Sequence, residues 1–279
     1  MPLVPDPLFS VIIPTYGRQE FLEAAVRSAL DQTVDDLEVV VVDDASPEPA
    51  VIPEDPRVRS VRRTENGGSA AARNTGIEAA RGRYVTFLDD DDEFTPRRLA
   101  IALEGLQRAP IALCWGHYLG GPPGPGRILE GDVADTILDG IAPHTGRTAL
   151  VRELCPRFDE RFRGSEDVEW WLRLAKLGPV ATVPEPGYLF RLHPGPRHGK
   201  GTHVRIQDRL DIMEMHREYF DAHTRATAFA WKRIGLMALG AGDSALARRA
   251  FLRSLRLRPE PRLLWHLARG LRRGKPWEA

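Results

Sequence analysis

Four consecutive aspartates, Asp89 to Asp92, follow an apolar run in "YVTFLDDDDEFTP", residues 84–96. Adjacent carboxylates repel one another and raise one another's pKa, so such a cluster stays ionised only with a cation among it. Hard oxygen donors of this kind suit magnesium or manganese. A plainer reading, in which Thr95 caps a following helix with Pro96 in its first turn, accounts for one acid at most. Two further acidic groups stand out. Asp43 and Asp44 end the apolar run "LEVVVVDDAS", and Glu166, Asp167 and Glu169 follow Ser165 in "GSEDVEWWLRLAKLG". The first pair sits among turn formers; in the second, Ser165 reads as a helix cap and the acids complement the helix dipole. "NGGSAAARNTGI" places Gly67 and Gly68, which permit close backbone approach, before a helix whose N-terminus favours anions.

The elements that must position these residues alternate. "FSVIIPTY", "LEVVVVDDAS" and "RYVTFLD" read as buried strands, and "QEFLEAAVRSALDQ" and "GSAAARNTGIEAARG" as helices, the second closed by Gly82. This order predicts a Rossmann-like α/β fold with a mostly parallel central sheet flanked by helices. Ligands bind beyond the carboxyl ends of such strands, where Thr15, Asp43, Asp44 and Asp89 to Asp92 fall. "VATVPEPGYLF" reads as two short strands broken by prolines, and Trp170, Leu174 and Leu177 as one apolar helix stripe.

With 279 residues and 42% apolar content the chain can bury a sizeable core. Its 39 basic and 39 acidic residues cancel, so no global field recruits nucleic acid. Cys114 and Cys155 are too few for a disulfide framework and match no metal spacing. The N-terminus has no signal-peptide pattern and no stretch approaches a membrane span, which predicts a cytoplasmic protein.

In this order and at these separations, "VIIPTYGR", "VVVVDDAS", "NGGSAAARNTGI", "YVTFLDDDDEFTP" and "GSEDVEWWLRLAKLG" resemble the family 2 glycosyltransferases, inverting enzymes of GT-A fold, over about residues 8–195. The resemblance implies a donor of UDP, GDP or dTDP type, a hydroxyl acceptor and Mn2+ or Mg2+. It implies that Pro14, Thr15 and Tyr16 line the nucleotide base and that Asp44 accepts from it. A carboxylate acceptor suits the N–H edge of uracil, thymine or guanine. Gly68 and Arg73 would lie near the nucleotide, the guanidinium meeting phosphate or base oxygen as a planar fork. The family's acidic signature maps onto Asp89, Asp91 and Asp92, which with His193 form the implied metal set. Asp90 takes the variable slot and is counted, with Glu166, among substrate-binding residues. Asp167 is implied as the general base. Gly17 stands where the family often has asparagine. His117 and His144 could face the acceptor, but their spacing does not separate that from packing.

The predicted division is a GT-A catalytic domain over residues 1–200 and a helical extension over 201–279. In the extension Trp231, Gly235, Gly242, Ala247, Phe251 and Pro259 fall at the offsets of one tetratricopeptide-type helix pair. Residues 248–275 then read as a basic amphipathic stretch suited to peripheral contact with anionic lipid. Without membrane spans or a "Q-x-x-R-W" motif, the expected enzyme is a non-processive, metal-assisted transferase acting on a cell-surface glycan or glycolipid precursor. The alternative is a catalytically degenerate scaffold that works through its helical tail.

Overall fold

The computed structural model describes residues 6–121, 126–192, 201–261 and 263. They form two compact units: residues 1–133, 143–160 and 170–195, and residues 134–142, 161–169 and 196–279.

The first unit is built on one eight-stranded sheet, in the order β3-β2-β1-β4-β7-β6-β8-β5. The strands are β1 (Phe9–Thr15), β2 (Leu37–Asp43), β3 (Val58–Arg62), β4 (Tyr84–Phe87), β5 (Glu93–Phe94), β6 (Ile111–Tyr118), β7 (Thr148–Val151) and β8 (Val180–Phe190). β2 and β4 are buried along their whole length, as continuous apolar runs covered on both faces should be. β1 pairs in parallel with both β2 and β4, so the carboxyl ends of these three strands lie side by side. Antiparallel pairing enters at β7, which links β4 to β6.

Helices α1 (Gln19–Leu30), α3 (Arg98–Leu106) and α4 (Glu166–Leu174) follow the 3.6-residue apolar period, whereas α2 (Ser69–Ala79) buries the continuous run from Ala70 to Asn74. In α1 that period buries Leu22, Ala25, Val26 and Ala29. α2 docks on β1 through Gly76, where a Cβ would lie 2.3 Å from Ile12 Cγ2. Gly82 does not close α2, whose C-cap is Ala80. It is glycine because a Cβ there would meet the Ser10 backbone nitrogen at 2.5 Å.

Three local expectations give way to tertiary pairing. Thr95 does not cap α3: its hydroxyl donates to the Pro186 carbonyl at 3.0 Å, because β5 is pinned to β8, and α3 starts later with Arg97 at its cap. Residues 180–190 form one strand. Pro184 and Pro186 are tolerated because the register with β6 shifts around Trp115, and β5 pairs only with Tyr188 and Leu189. Leu177 is exposed, lying past the end of α4 and outside its apolar stripe.

In the second unit the helices are α5 (Thr202–Met215), α6 (Arg217–Ala222), α7 (Thr224–Gly240) and α8 (Ser244–Leu257). α7 crosses α8 closely at Gly235, where a Cβ would stand 2.5 Å from the Phe251 ring. Ile234, Ala238, Ala247 and Ala250 complete that contact, and the Trp231 ring faces Arg253. Of the basic stretch over residues 248–275, the part to 257 lies in α8, and 262 and 264–275 lie outside the described residues. No described helix is long and apolar enough to cross a membrane.

Gly76→Ala should cost about 1–3 kcal/mol, since the added methyl overpacks a rigid helix-sheet contact. Denaturant unfolding of the two proteins measures it, and an unchanged midpoint would contradict the described docking of α2.

Candidate active site

The polar ends of β1, β2 and β4 converge as their register requires, with Thr15 opposite Asp43. Pro14 is half-buried and Thr15 buried, while Tyr16 is exposed. Gly17 has φ of +64°, the left-handed region that glycine and asparagine enter with least strain, and its N–H donates to Ser46 Oγ at 2.9 Å. Asp43 is a turn anchor: it accepts from the backbone of Ser46 at 2.8 Å and of Ala50 at 3.1 Å, and pairs with Arg62 at 2.5 Å. Between the two acids and Ser46, Ala45 also takes a left-handed conformation, φ 60°.

Asp44 does something different. It accepts from Gly67 N at 3.1 Å and Gly68 N at 2.7 Å, and Arg63 Nε lies 2.7 Å from it. Gly68 can present its N–H because its φ is +85°. The end of β2 is thereby stapled to the start of α2. A carboxylate offers about four lone-pair positions, so Asp44 keeps acceptor capacity after these contacts.

Each carboxylate in the aspartate run finds a protein partner, and Asp90 and Asp91 share one. Asp89 Oδ1 accepts from Arg73 at 2.8 Å, while its Oδ2 lies 3.4 Å from His144 Nε2. Arg73 is itself buried and lies over the Phe158 ring. Asp90 accepts from Thr15 Oγ1 at 2.7 Å and from Arg18 at 3.1 Å; the same Arg18 nitrogen donates to Asp91 at 2.6 Å. Asp92 accepts from the Tyr188 hydroxyl and the Arg191 N–H, both at 2.8 Å.

These environments separate the four acids. Burial works to raise Asp89, but Arg73 and His144 overcome it and hold its carboxyl far below the usual range. Asp90 is pushed up to about 7, first by burial and then by the charges of Asp91 and Asp89, against the help of Thr15 and Arg18. Asp92 rises to about 6 for the same reasons. Burial, followed by the charges of Asp89 and Asp92, raises the Tyr188 hydroxyl well above its ordinary value. His144, despite burial, is raised by Asp89.

Asp89, Asp92 and His144 bring one ligand atom each within 4.8 Å of one another. Two carboxylate oxygens and an imidazole nitrogen suit a divalent cation such as manganese. His144 Nδ1 accepts from Gly146 N at 3.3 Å, which leaves the neutral ring's proton on Nε2, facing Asp89. Binding a cation through Nε2 would therefore require that proton to leave or move to Nδ1. The sequence offered His144 only as a histidine able to face the acceptor, not as a metal ligand: it caps a short turn (Thr145–Arg147) before β7, far along the chain from the aspartates. Its neighbour Tyr188 carried no signal. Asp91 is absent from this group and its carboxylate meets Arg18, while His193 lies outside the described residues.

Glu166 and Asp167 belong to the second unit. They open α4, and Asp167 Oδ1 accepts from Val168 N at 2.9 Å. The backbone carbonyl of Ser165 starts the helix, accepting from Val168 N at 3.1 Å, but its hydroxyl caps nothing and has no partner among the described residues. The loop before the helix is held by Asp208, which accepts from Arg163 N at 3.1 Å and Gly164 N at 2.7 Å.

A sheet with acids crowded beyond its parallel strand ends, flanked by helices and followed by a helical region, is the architecture of the GT-A glycosyltransferases. TarS of S. aureus, solved with UDP-GlcNAc, superposes with a TM-score of 0.63 at 16% identity over 94% of this chain and 92% of that one. The mannosyltransferase PcManGT from Pyrobaculum calidifontis, solved with GDP-Man and Mn2+, gives 0.58 at 21% identity over 96% of this chain and 81% of that one. Residues 10–141 match the model of Glycosyl transferase family 2, and this part of the chain is a family 2 glycosyl transferase domain. Among curated relatives, the succinoglycan biosynthesis protein ExoO of Rhizobium meliloti is 43% identical over 106 residues, covering 36% of this chain and 30% of that protein. The chain spans less than half the length of the curated relatives it matches.

A carboxyl whose pKa is raised by folding keeps a proton that the unfolded chain releases, so stability falls as pH rises from 3.8 to about 7 and is level above that. In metal-free buffer, Asp90→Asn should remove this slope, gaining about 2 kcal/mol on the parent between pH 5 and 8. Denaturant titrations at several pH values check it; parallel pH profiles would refute the assigned environment of Asp90.

Proposed function

We propose that this protein is a non-processive, inverting glycosyltransferase that moves a sugar from a nucleoside-diphosphate sugar to a hydroxyl acceptor in glycan biosynthesis. The observation that carries the reading is the convergence, within a family 2 domain, of Asp44, Gly68, Arg73 and the Asp89 to Asp92 run beyond β1, β2 and β4. Neighbours of the same fold are complexes with UDP-GlcNAc and with GDP-Man and Mn2+, which supports a nucleotide-sugar donor and a divalent cation.

In this reading Pro14, Thr15 and Tyr16 line the base and Asp44 accepts its N–H. Gly68 and Arg73 face the phosphates. Asp89, Asp92 and His144 would hold Mn2+ or Mg2+, which when bound supplies positive charge to the departing diphosphate. Asp91, one residue from that set, would have to share its carboxylate between the cation and Arg18. Asp167 takes the proton of the acceptor hydroxyl. The hydroxyl oxygen forms a bond to the anomeric carbon on the face opposite the leaving group. The bond from that carbon to the phosphate oxygen breaks, and its electron pair leaves with the nucleoside diphosphate. One displacement inverts the anomeric configuration.

A thermal-shift screen of UDP-, GDP- and dTDP-sugars, with and without Mn2+, should find at least one stabilising pair, and product assays then follow turnover. Asp167→Asn should lose on the order of 10²–10⁴ in kcat while keeping nucleotide-dependent stabilisation; normal turnover would remove Asp167 from the chemistry. His144→Ala should weaken Mn2+ binding, read by calorimetry, by about tenfold or more. Equal affinity would exclude the imidazole as a ligand.

A further inference from the structure

The second unit contains an open pocket with about 50 Å³ of water-accessible space. That admits a group of a few heavy atoms, such as an oxyanion, with the rest of a ligand lying across the mouth. Its walls come from residues 138–142, the first turn of α4, and α5, α6 and α7. Ile212, Met213, Phe220 and Phe229 supply an apolar surface, and the charged groups are Asp167, Arg209 and Arg233.

Two guanidiniums against one carboxylate leave this wall with a net positive charge. Arg209 stands out further, because its Nε is buried and makes no hydrogen bond among the described residues. Burial opposes its charge; Asp167 offsets this, while Arg233 and Arg205 act in the same direction as burial. A buried donor without a partner is costly and calls for an explanation, which a bound acceptor of hydrogen bonds provides. Asp208, next to Arg209 in the chain, holds the loop before α4 and adds to the negative charge that Arg209 feels, so α5 both fixes the start of the helix that carries Asp167 and supplies the cation beside it.

We propose that this cavity binds the anionic portion of the acceptor: an oxyanion, phosphate or carboxylate, carried on an apolar body. Arg209 and Arg233 meet the oxyanion, and Ile212, Met213, Phe220 and Phe229 cover the apolar part. The inference rests on the proposed role of Asp167, since a ligand anchored here has its hydroxyl next to that carboxylate.

Calorimetric titration of the full chain with hexyl phosphate, hexanoate, hexanol and inorganic phosphate tests the pocket without donor or metal. One of the two amphiphilic anions should bind about tenfold or more tighter than both hexanol and inorganic phosphate, and which one does identifies the oxyanion. Arg233→Ala and Arg209→Gln should each weaken that binding about tenfold, while UDP- or GDP-sugar stabilisation with Mn2+ stays at the parent value. Hexanol binding as well as the anions, or both arginine variants binding them like the parent, overturns the proposal. The two readings fail separately. Arginine-independent binding with a dead Asp167→Asn enzyme removes the oxyanion site and keeps the transferase, whereas normal turnover in Asp167→Asn removes the acceptor role even if the anions bind.

Discussion

The mutual repulsion of Asp89, Asp90, Asp91 and Asp92 is the constraint around which the first unit is organised. Four carboxylates at the end of a buried strand cannot all be left to themselves. The fold answers with cationic and hydrogen-bonding partners brought from elsewhere: Arg73 from α2, Arg18 from the loop after β1, His144 from the turn before β7, and Tyr188 and the Arg191 amide from the end of β8. The parallel register of β1, β2 and β4 makes this possible, because it places one loop from each strand on the same edge.

The compensation is uneven, and the unevenness is chemically useful. Asp89 is ionised and fixed by Arg73 and His144, whereas Asp90 and Asp92 sit where burial and negative neighbours favour the proton. A site of this kind accommodates extra positive charge by losing protons as well as by exchanging partners. Arg18 illustrates the second route, since one guanidinium nitrogen serves both Asp90 and Asp91.

The sequence made β1, β2, β4 and the first two helices legible, because continuous apolar runs and a helical period survive without tertiary information. β3 was not legible: "VRSVR" is half-exposed and carries two arginines, so it reads as neither a buried strand nor a helix. β5 has two residues and exists only through its pairing with β8. The aspartate run and Asp44 were visible as acids at strand ends. Their partners were less so: Arg73 was picked out, though not as the partner of Asp89, and His144 only as able to face the acceptor, whereas Arg18 and Tyr188 gave no signal, since local pattern does not encode contacts across the sheet. The division into units also escapes local reading, because residues 134–142 and 161–169 join the later helices in space, not in chain order.

The double amide hold on Asp44 has an entropic consequence. A free aspartate samples several rotamers, and restricting them at the moment a ligand arrives subtracts from affinity. Here Gly67 and Gly68 immobilise the side chain during folding itself. Any N–H donor that docks against it therefore meets an acceptor whose freedom has already been removed.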